Sequence, residues 1–307
     1  MAKYILKRIL YFIPVLFGIV LLVYFIMYLA PGDPARMILG DKVPQAEVDA
    51  LREEMGLNEP FIVQFLTYLK NILHGDFGTS YQLGIPVTDI ILQIRFPITL
   101  IMATTSMLLA VLFSIPIGTL SAVRQYTLMD SFVVVMALFL TSIPVFWLGL
   151  MLILLFSLKL GWLPSSGIDS WQSYILPAIT LALVNSAPII RMTRSTMLEV
   201  LRQDFVRTAR AKGASESRIV FKHALKNAII PVLTVIGINF GIVLGGSAIA
   251  ETVFGIPGLG LQLVTSIRQK DIPVVMGAVL FIAFTFSIVN LIIDILYMIV
   301  DPRIREN

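Results

Sequence analysis

Six stretches of this chain carry no charged side chain: residues 9–32, 96–123, 131–158, 170–190, 227–250 and 272–293. Each is at least 21 residues long, and about 20 apolar residues suffice for a helix to cross a hydrocarbon core. This spacing constrains the fold more than any other feature. Composition agrees with it, because 57% of the 307 residues are hydrophobic and only 14% are charged, with a mean hydropathy of +0.90. A soluble domain with so little charge has no means of covering its surface. The expected fold is an all-α polytopic membrane protein with six transmembrane helices.

Charge sets the expected orientation. Lys3, Lys7 and Arg8 precede an apolar run that extends past 20 residues and ends in Ala30-Pro-Gly-Asp-Pro34. That run has no small-x-small cleavage pattern, so it reads as an uncleaved first span with its basic flank in the cytoplasm. Six spans return the C-terminus to the same side. Cytoplasmic segments then hold fifteen Lys and Arg residues, nine of them between 191 and 227, and outer segments hold eight. The expected organisation is an N-terminus and first span over 1–30, an extracytoplasmic loop or lid over 31–97, a five-helix core over 98–300 with a cytoplasmic loop at 191–227, and a cytoplasmic tail over 301–307.

Turn chemistry and periodicity fill in the loops. Pro31-Gly-Asp-Pro34 stops the first span. Glu47 to Met55 reads as a short acidic helix. Phe61, Phe65, Leu69 and Leu73 recur every fourth residue, the pattern of an amphipathic helix that lies in the interface or packs over the outer mouth. Gly161-Trp-Leu-Pro164 closes the third span, and Glu251 to Gly260 breaks regular structure after the fifth. Such backbone is tolerable near a membrane only where protein covers it or it lines a cavity.

Several chemistries are missing from the sequence. With no cysteine and two histidines, thiolate metal sites and a His-rich metal site are excluded. No phosphate loop of the G-x-x-x-x-G-K-[ST] type occurs, nor H-E-x-x-H, G-x-S-x-G or EF-hand spacing, so the chain reads as non-catalytic and no nucleotide or metal is expected on it. Acids within the spans are nearly absent, which argues against a proton- or sodium-coupled secondary carrier. Asp294 lies 22 residues beyond position 272, roughly 33 Å along a helix, which puts it at the cytoplasmic interface in a capping, pairing or gating role. Glu251, at the outer end of the fifth span, is a candidate guard of a mouth. Thr104, Thr105, Ser106, Thr141, Ser142, Asn185, Asn239 and Asn290 either face a pathway or make interhelical hydrogen bonds.

The segment between the fourth and fifth spans is the most informative for function. Residues 195–212 read as one helix with little to break it. Gly213 is suited to the left-handed turn that ends a helix, with Arg210 and Lys212 near its negative end. Ser215 and Glu216 then start a second helix that merges into the fifth span. A short helix held between two spans either transmits a push from a soluble partner or lies on anionic lipid. Nucleic acid is not an expected partner of so hydrophobic a chain.

Arg207-Thr-Ala-Arg-Ala-Lys-Gly213 resembles the cytoplasmic coupling loop of binding-protein-dependent ABC import permeases. The general signature of that family is matched at Ala209, Gly213 and Leu225; Arg207, Thr208, His223 and Lys226 depart from it. The peptide-transport branch has this same form of the loop, and the likeness continues in order along nearly the whole chain. It includes Tyr4-Ile-Leu-Lys-Arg8, Gly56-Leu-Asn-Glu-Pro60, Gly75-Asp-Phe-Gly-Thr-Ser80, Ile175-Leu-Pro177 and Asp301-Pro-Arg. The chain is similar to the first permease of dipeptide, oligopeptide, glutathione or nickel importers.

The resemblance implies a type I importer permease fold in a bacterial or archaeal inner membrane. It also implies a second permease, two ATPase subunits that bind ATP and magnesium, and an extracytoplasmic binding protein. Ala209, Gly213 and Leu225 are the expected coupling residues, with Phe205, Ile219 and Phe221 as apolar contacts. Arg207, Arg210, Lys212 and Arg218 supply charge at the ATPase surface.

Overall fold

The computed structural model describes residues 2–40 and 42–300, with side chains over 6–40 and 42–296. The tail 301–307, and with it the Asp301-Pro-Arg motif, lies outside the described residues. Among the described residues the chain is helical apart from turns, loops and one isolated bridge between Thr79 and Pro86. Among the described residues five helices are long and apolar enough to cross a membrane, six if one bent pair counts as a single span.

The chain divides into two compact units, Met1–Thr99 with Pro257–Ser287 and Leu100–Ile256 with Ile288–Asn307. The core expected over 98–300 is thus shared between the two.

The first unit begins with α1 (Ala2–Leu29). The chain then turns at Pro31-Gly-Asp, where Asp33 caps α2 (Pro34–Leu39) by accepting from the Ala35 amide. α3 (Gln45–Glu54) and α4 (Phe61–Leu73) follow, close to the helices expected there. Phe65 is buried and Leu73, at the end of the stripe, is 85% exposed. The stripe packs on α1 through a ladder of rings, with Phe65 against Phe17 and Tyr24, and Phe61 against Phe25 and Tyr28, at centroid separations of 5.1 to 5.9 Å. Such pairs add about 0.5–1.5 kcal/mol each beyond the area they bury.

The rest of this unit is the start of α5 (Val87–Val123), α12 (Leu259–Arg268) and the first part of α13 (Ile272–Val300). Val87, Ile90, Leu259, Val274 and Ala278 form its second core. Asp271 ties the 75–86 loop down. It is 1% exposed and accepts from the Ser80 hydroxyl and from the Tyr81 amide at 3.1 Å.

The second unit holds most of α5, then α6 (Leu128–Ser142), α7 (Val145–Lys159), α8 (Ile175–Leu201), α9 (Asp204–Ala211), α10 (Glu216–Leu244), α11 (Ala248–Val253) and the end of α13. Leu108, Leu112, Phe132, Val135 and Leu158 remain more than half exposed on the outer faces of their helices, as a lipid solvent allows.

The helices depart from the charge-free windows in three places. The window 131–158 is not one straight span, because α6 and α7 meet at 101°. Pro144 disfavours helical backbone at Ile143, which is extended at φ −79° and ψ 125°. The helix of the fourth span runs on past Arg191: α8 continues unbroken to Leu201, carrying Pro188 inside it. The fifth span ends at Leu244, where Gly245 and Gly246 (φ 98°) interrupt the helix. Glu251 therefore lies on the separate helix α11, and regular structure breaks at 254–258 before α12 resumes it.

Candidate functional site

The site is built where α8 runs out. Arg202 closes that helix and Gln203, extended at φ −75° and ψ 153°, opens α9. The single helix expected over 195–212 is thus two helices, and the break frees the second to take its own direction. Asp204 sits in the first turn of α9, where a carboxylate complements the positive end of the helix, and lies 3.6 Å from the exposed Arg207 guanidinium.

α9 ends as its sequence predicts. Gly213 has φ 79°, the left-handed region that an L side chain enters only with strain. The Ala214 amide donates to the Ala209 carbonyl at 3.2 Å and the Gly213 amide to Arg210 at 3.0 Å, the pair of bonds that defines a Schellman cap. Nothing lies within 4 Å of where a Gly213 side chain would begin, so the demand for glycine is torsional only. Ser215 holds the cap position of α10, but its side chain makes no capping bond. Arg210 takes up the turn instead, reaching over Gly213 to Glu216 with bonds of 2.6 and 3.0 Å. The neighbouring carboxylate pushes the Arg210 pKa further up.

Burial sorts the expected coupling residues into two sets. Val206, which the sequence reading passed over, is fully buried, and so is Ile219. Leu225 packs with Met197, Val200, Val220 and Ala224 in the core beneath α9. Ile219 and Leu225 therefore point into the chain's own interior, which departs from the outward contact expected of Ile219. Phe205 (39% exposed), Phe221 (62%), Arg207, Arg210, Lys212 and Arg218 face outward. Phe205, Ala209, Gly213, Lys212, Arg218 and His223 line an open groove of about 430 Å³ that mixes apolar and basic side chains.

The expected pathway residues are scattered. Glu251 is fully buried on α11, which packs on α7 and α8, so it does not stand open at a mouth within this chain. Asn185 is half-buried and donates to the Leu181 carbonyl. Asn239 is half-buried with its amide nitrogen unbonded among the described residues. Asn290 and Asp294 are half-buried on α13, and that helix continues past Asp294 rather than ending beside it. Thr105, Ser106, Thr141 and Ser142 turn their hydroxyls back on carbonyls three or four residues earlier, the structural use of such residues in membrane helices.

One constellation was missed. Asp130, 3% exposed, meets the Arg194 guanidinium in a fork of 2.6 and 2.7 Å. Thr127-Leu-Met-Asp130 ahead of an apolar run was a legible capping signal, and Thr127 does cap α6. Its partner 64 residues on left no mark in the sequence.

Residues 114–306 match the family described as binding-protein-dependent transport system inner membrane component, and residues 1–103 match the N-terminal membrane component of such systems. The chain belongs to this family of transport permeases. Among its relatives are the glutathione transport system permease protein GsiC of Salmonella paratyphi A, 45% identical over 305 residues, and GsiC of Escherichia coli K12, 43% identical, each over 99% of both chains. Its fold is also that of a chain in the inward-facing MetNI methionine ABC transporter, with a TM-score of 0.55 at 20% identity over 67% of this chain and 94% of that one. The chain is accordingly a multi-pass membrane permease of an ABC importer with the type I permease fold.

Proposed function

We propose that this chain forms half of the pathway of a short-peptide importer, with glutathione or a peptide of similar size as cargo, and that α9 is where an ATPase subunit grips it. The groove at α9 carries this reading. Its capped, stapled helix joins two spans, presents Phe205 among exposed basic side chains, and keeps Val206 and Ile219 buried on the inward side. A partner with an acidic, apolar-centred surface fits it, and a push on α9 enters α8 and α10 directly.

A second homologous permease, two ATPases holding ATP and magnesium, and an extracytoplasmic binding protein complete the assembly, with both termini of this chain in the cytoplasm. ATP drives the cycle by binding the outward- and inward-open states unequally. Glu251, Asn185, Asn239, Asn290 and Asp294 are kept as candidates for the pathway or its gates. Import of a nickel chelate is the alternative cargo within the same family.

Co-purification tests the reading. The intact chain should retain an ATPase, and deletion of 207–222 should lose it while the second permease stays bound. Retention of the ATPase by the deleted chain would contradict the assignment.

A further inference from the structure

The polar cluster at Asp130 is buried and bonded from four donors in the second unit, and the coupling surface makes no use of it. Besides the two bonds from Arg194 on α8, the carboxylate accepts from the Ser121 hydroxyl at the end of α5 at 2.6 Å and from the Tyr126 amide in the α5–α6 turn at 3.0 Å. Tyr126 is held at φ 66°, a conformation a bulky residue keeps only where its surroundings impose it.

The adjoining contact of α5 with α8 is closed. A side chain at Gly118 would meet the Ile190 carbonyl and the Thr193 Cβ at 2.8 Å each. Between α6 and α8 the remaining packing is apolar and small, Val133 and Ala137 against Ala187 and Ile190. A forked guanidinium–carboxylate pair adds to that packing a directional lock on angle and register.

Arg194 lies seven residues before the end of α8, about 10 Å of helix, beyond which α9 begins. Asp130 stands at the start of α6, which leads to the 101° bend at Pro144. We infer that Asp130 and Arg194 are a positioning pair that makes α6 follow α8, so that a displacement of α9 is carried to that bend. This rests on the coupling reading above. Buried ion pairs are poor sources of net stability but good at specifying one arrangement, which is the role assigned here.

The test uses the complete transporter reconstituted in liposomes, with ATP hydrolysis and uptake of labelled glutathione and of a dipeptide measured on the same preparation. In Arg194→Lys, which keeps the charge but loses the fork, and in Asp130→Asn, hydrolysis should stay within about twofold of wild type. Peptide moved per ATP should fall at least about fivefold, a coupling loss of about 1 kcal/mol. Spin labels at Phe132 on α6 and Ala211 on α9 should show one ATP-dependent distance in the wild type and a broadened one in Arg194→Lys. Unchanged uptake per ATP in both assembled variants would overturn the inference, as would hydrolysis and uptake falling together in step with the amount of assembled complex. A wild-type complex with no ATP-driven uptake of either probe would instead overturn the coupling reading, and this inference with it.

Discussion

α4 and α9 are both short amphipathic helices outside the long spans, yet they treat their apolar faces oppositely. α4 spends one side of its stripe internally, where Phe61 and Phe65 meet the aromatic side chains of α1, while Ile62, Leu66 and Leu73 stay more than half exposed. α9 sinks only Val206 and leaves Phe205 exposed amid basic residues. An amphipathic pattern alone therefore does not distinguish a packed helix from one awaiting a partner. The distinction lies in whether a second apolar surface of matching length stands opposite. α1 supplies that surface for α4. α9 has no such surface along its length: Val206 is its one buried side chain among the described residues, and Phe205, Arg207 and Arg210 stay exposed.

That contrast predicts where substitutions act. The largest effect is expected at Phe65→Ala, which removes the centre of the ring ladder and should destabilise the first unit by about 3 kcal/mol; unfolding in detergent, followed by protease cleavage within 31–97, would report it. Gly213→Val comes next. Forcing a β-branched residue to φ 79° costs about 1–2 kcal/mol, and this strain at the joint should cut uptake per ATP roughly tenfold with little change in the amount of assembled transporter. Normal coupling in Gly213→Val would remove the hinge from the account.

Phe221→Ala should alter stability by less than about 0.5 kcal/mol while weakening ATPase retention several-fold, the reverse of Phe65→Ala; co-purification beside a melting curve separates them. Arg210→Ala should have the smallest effect on stability, since its pair with Glu216 is exposed to solvent and such pairs contribute little.

Alkaline titration sharpens the comparison from the other side. Burial, and for Tyr81 the charge of Asp271 after it, pushes the phenols of Tyr68 and Tyr81 above their ordinary value of 10.0. A group with its folded pKa raised contributes stability that is intact below the unfolded value and is lost as pH climbs through the folded one. The first unit should therefore hold a constant melting temperature up to about pH 9 and decline above about pH 10, with Tyr68→Phe blunting the decline.

Much of this was legible in the sequence for identifiable reasons. Charge-free windows reveal spans because lipid tolerates little else, and Gly213 revealed its turn because few residues suit that backbone. The bend at Pro144 was harder to read, since proline inside a membrane helix is often accommodated without a break, as Pro188 and Pro231 are here. The division of α8 from α9 at Arg202 and Gln203 has no breaker residue at all, and the burial of Val206 and Ile219 beyond it is tertiary. Inward and outward faces of the residues proposed for coupling, and the pairing of Asp130 with Arg194, depend on contacts between distant segments, which periodicity does not encode.

The chain has no cysteine, so single-cysteine cross-linking gives the most direct test that α9 is the handle of an external motor. With Ala211→Cys on α9, a short bifunctional reagent should join this chain to the ATPase subunit in a manner that changes on adding ATP, and Leu73→Cys at the end of α4 should give no such adduct. An ATPase adduct from Leu73→Cys, or none from Ala211→Cys in an assembled and active transporter, would contradict the account.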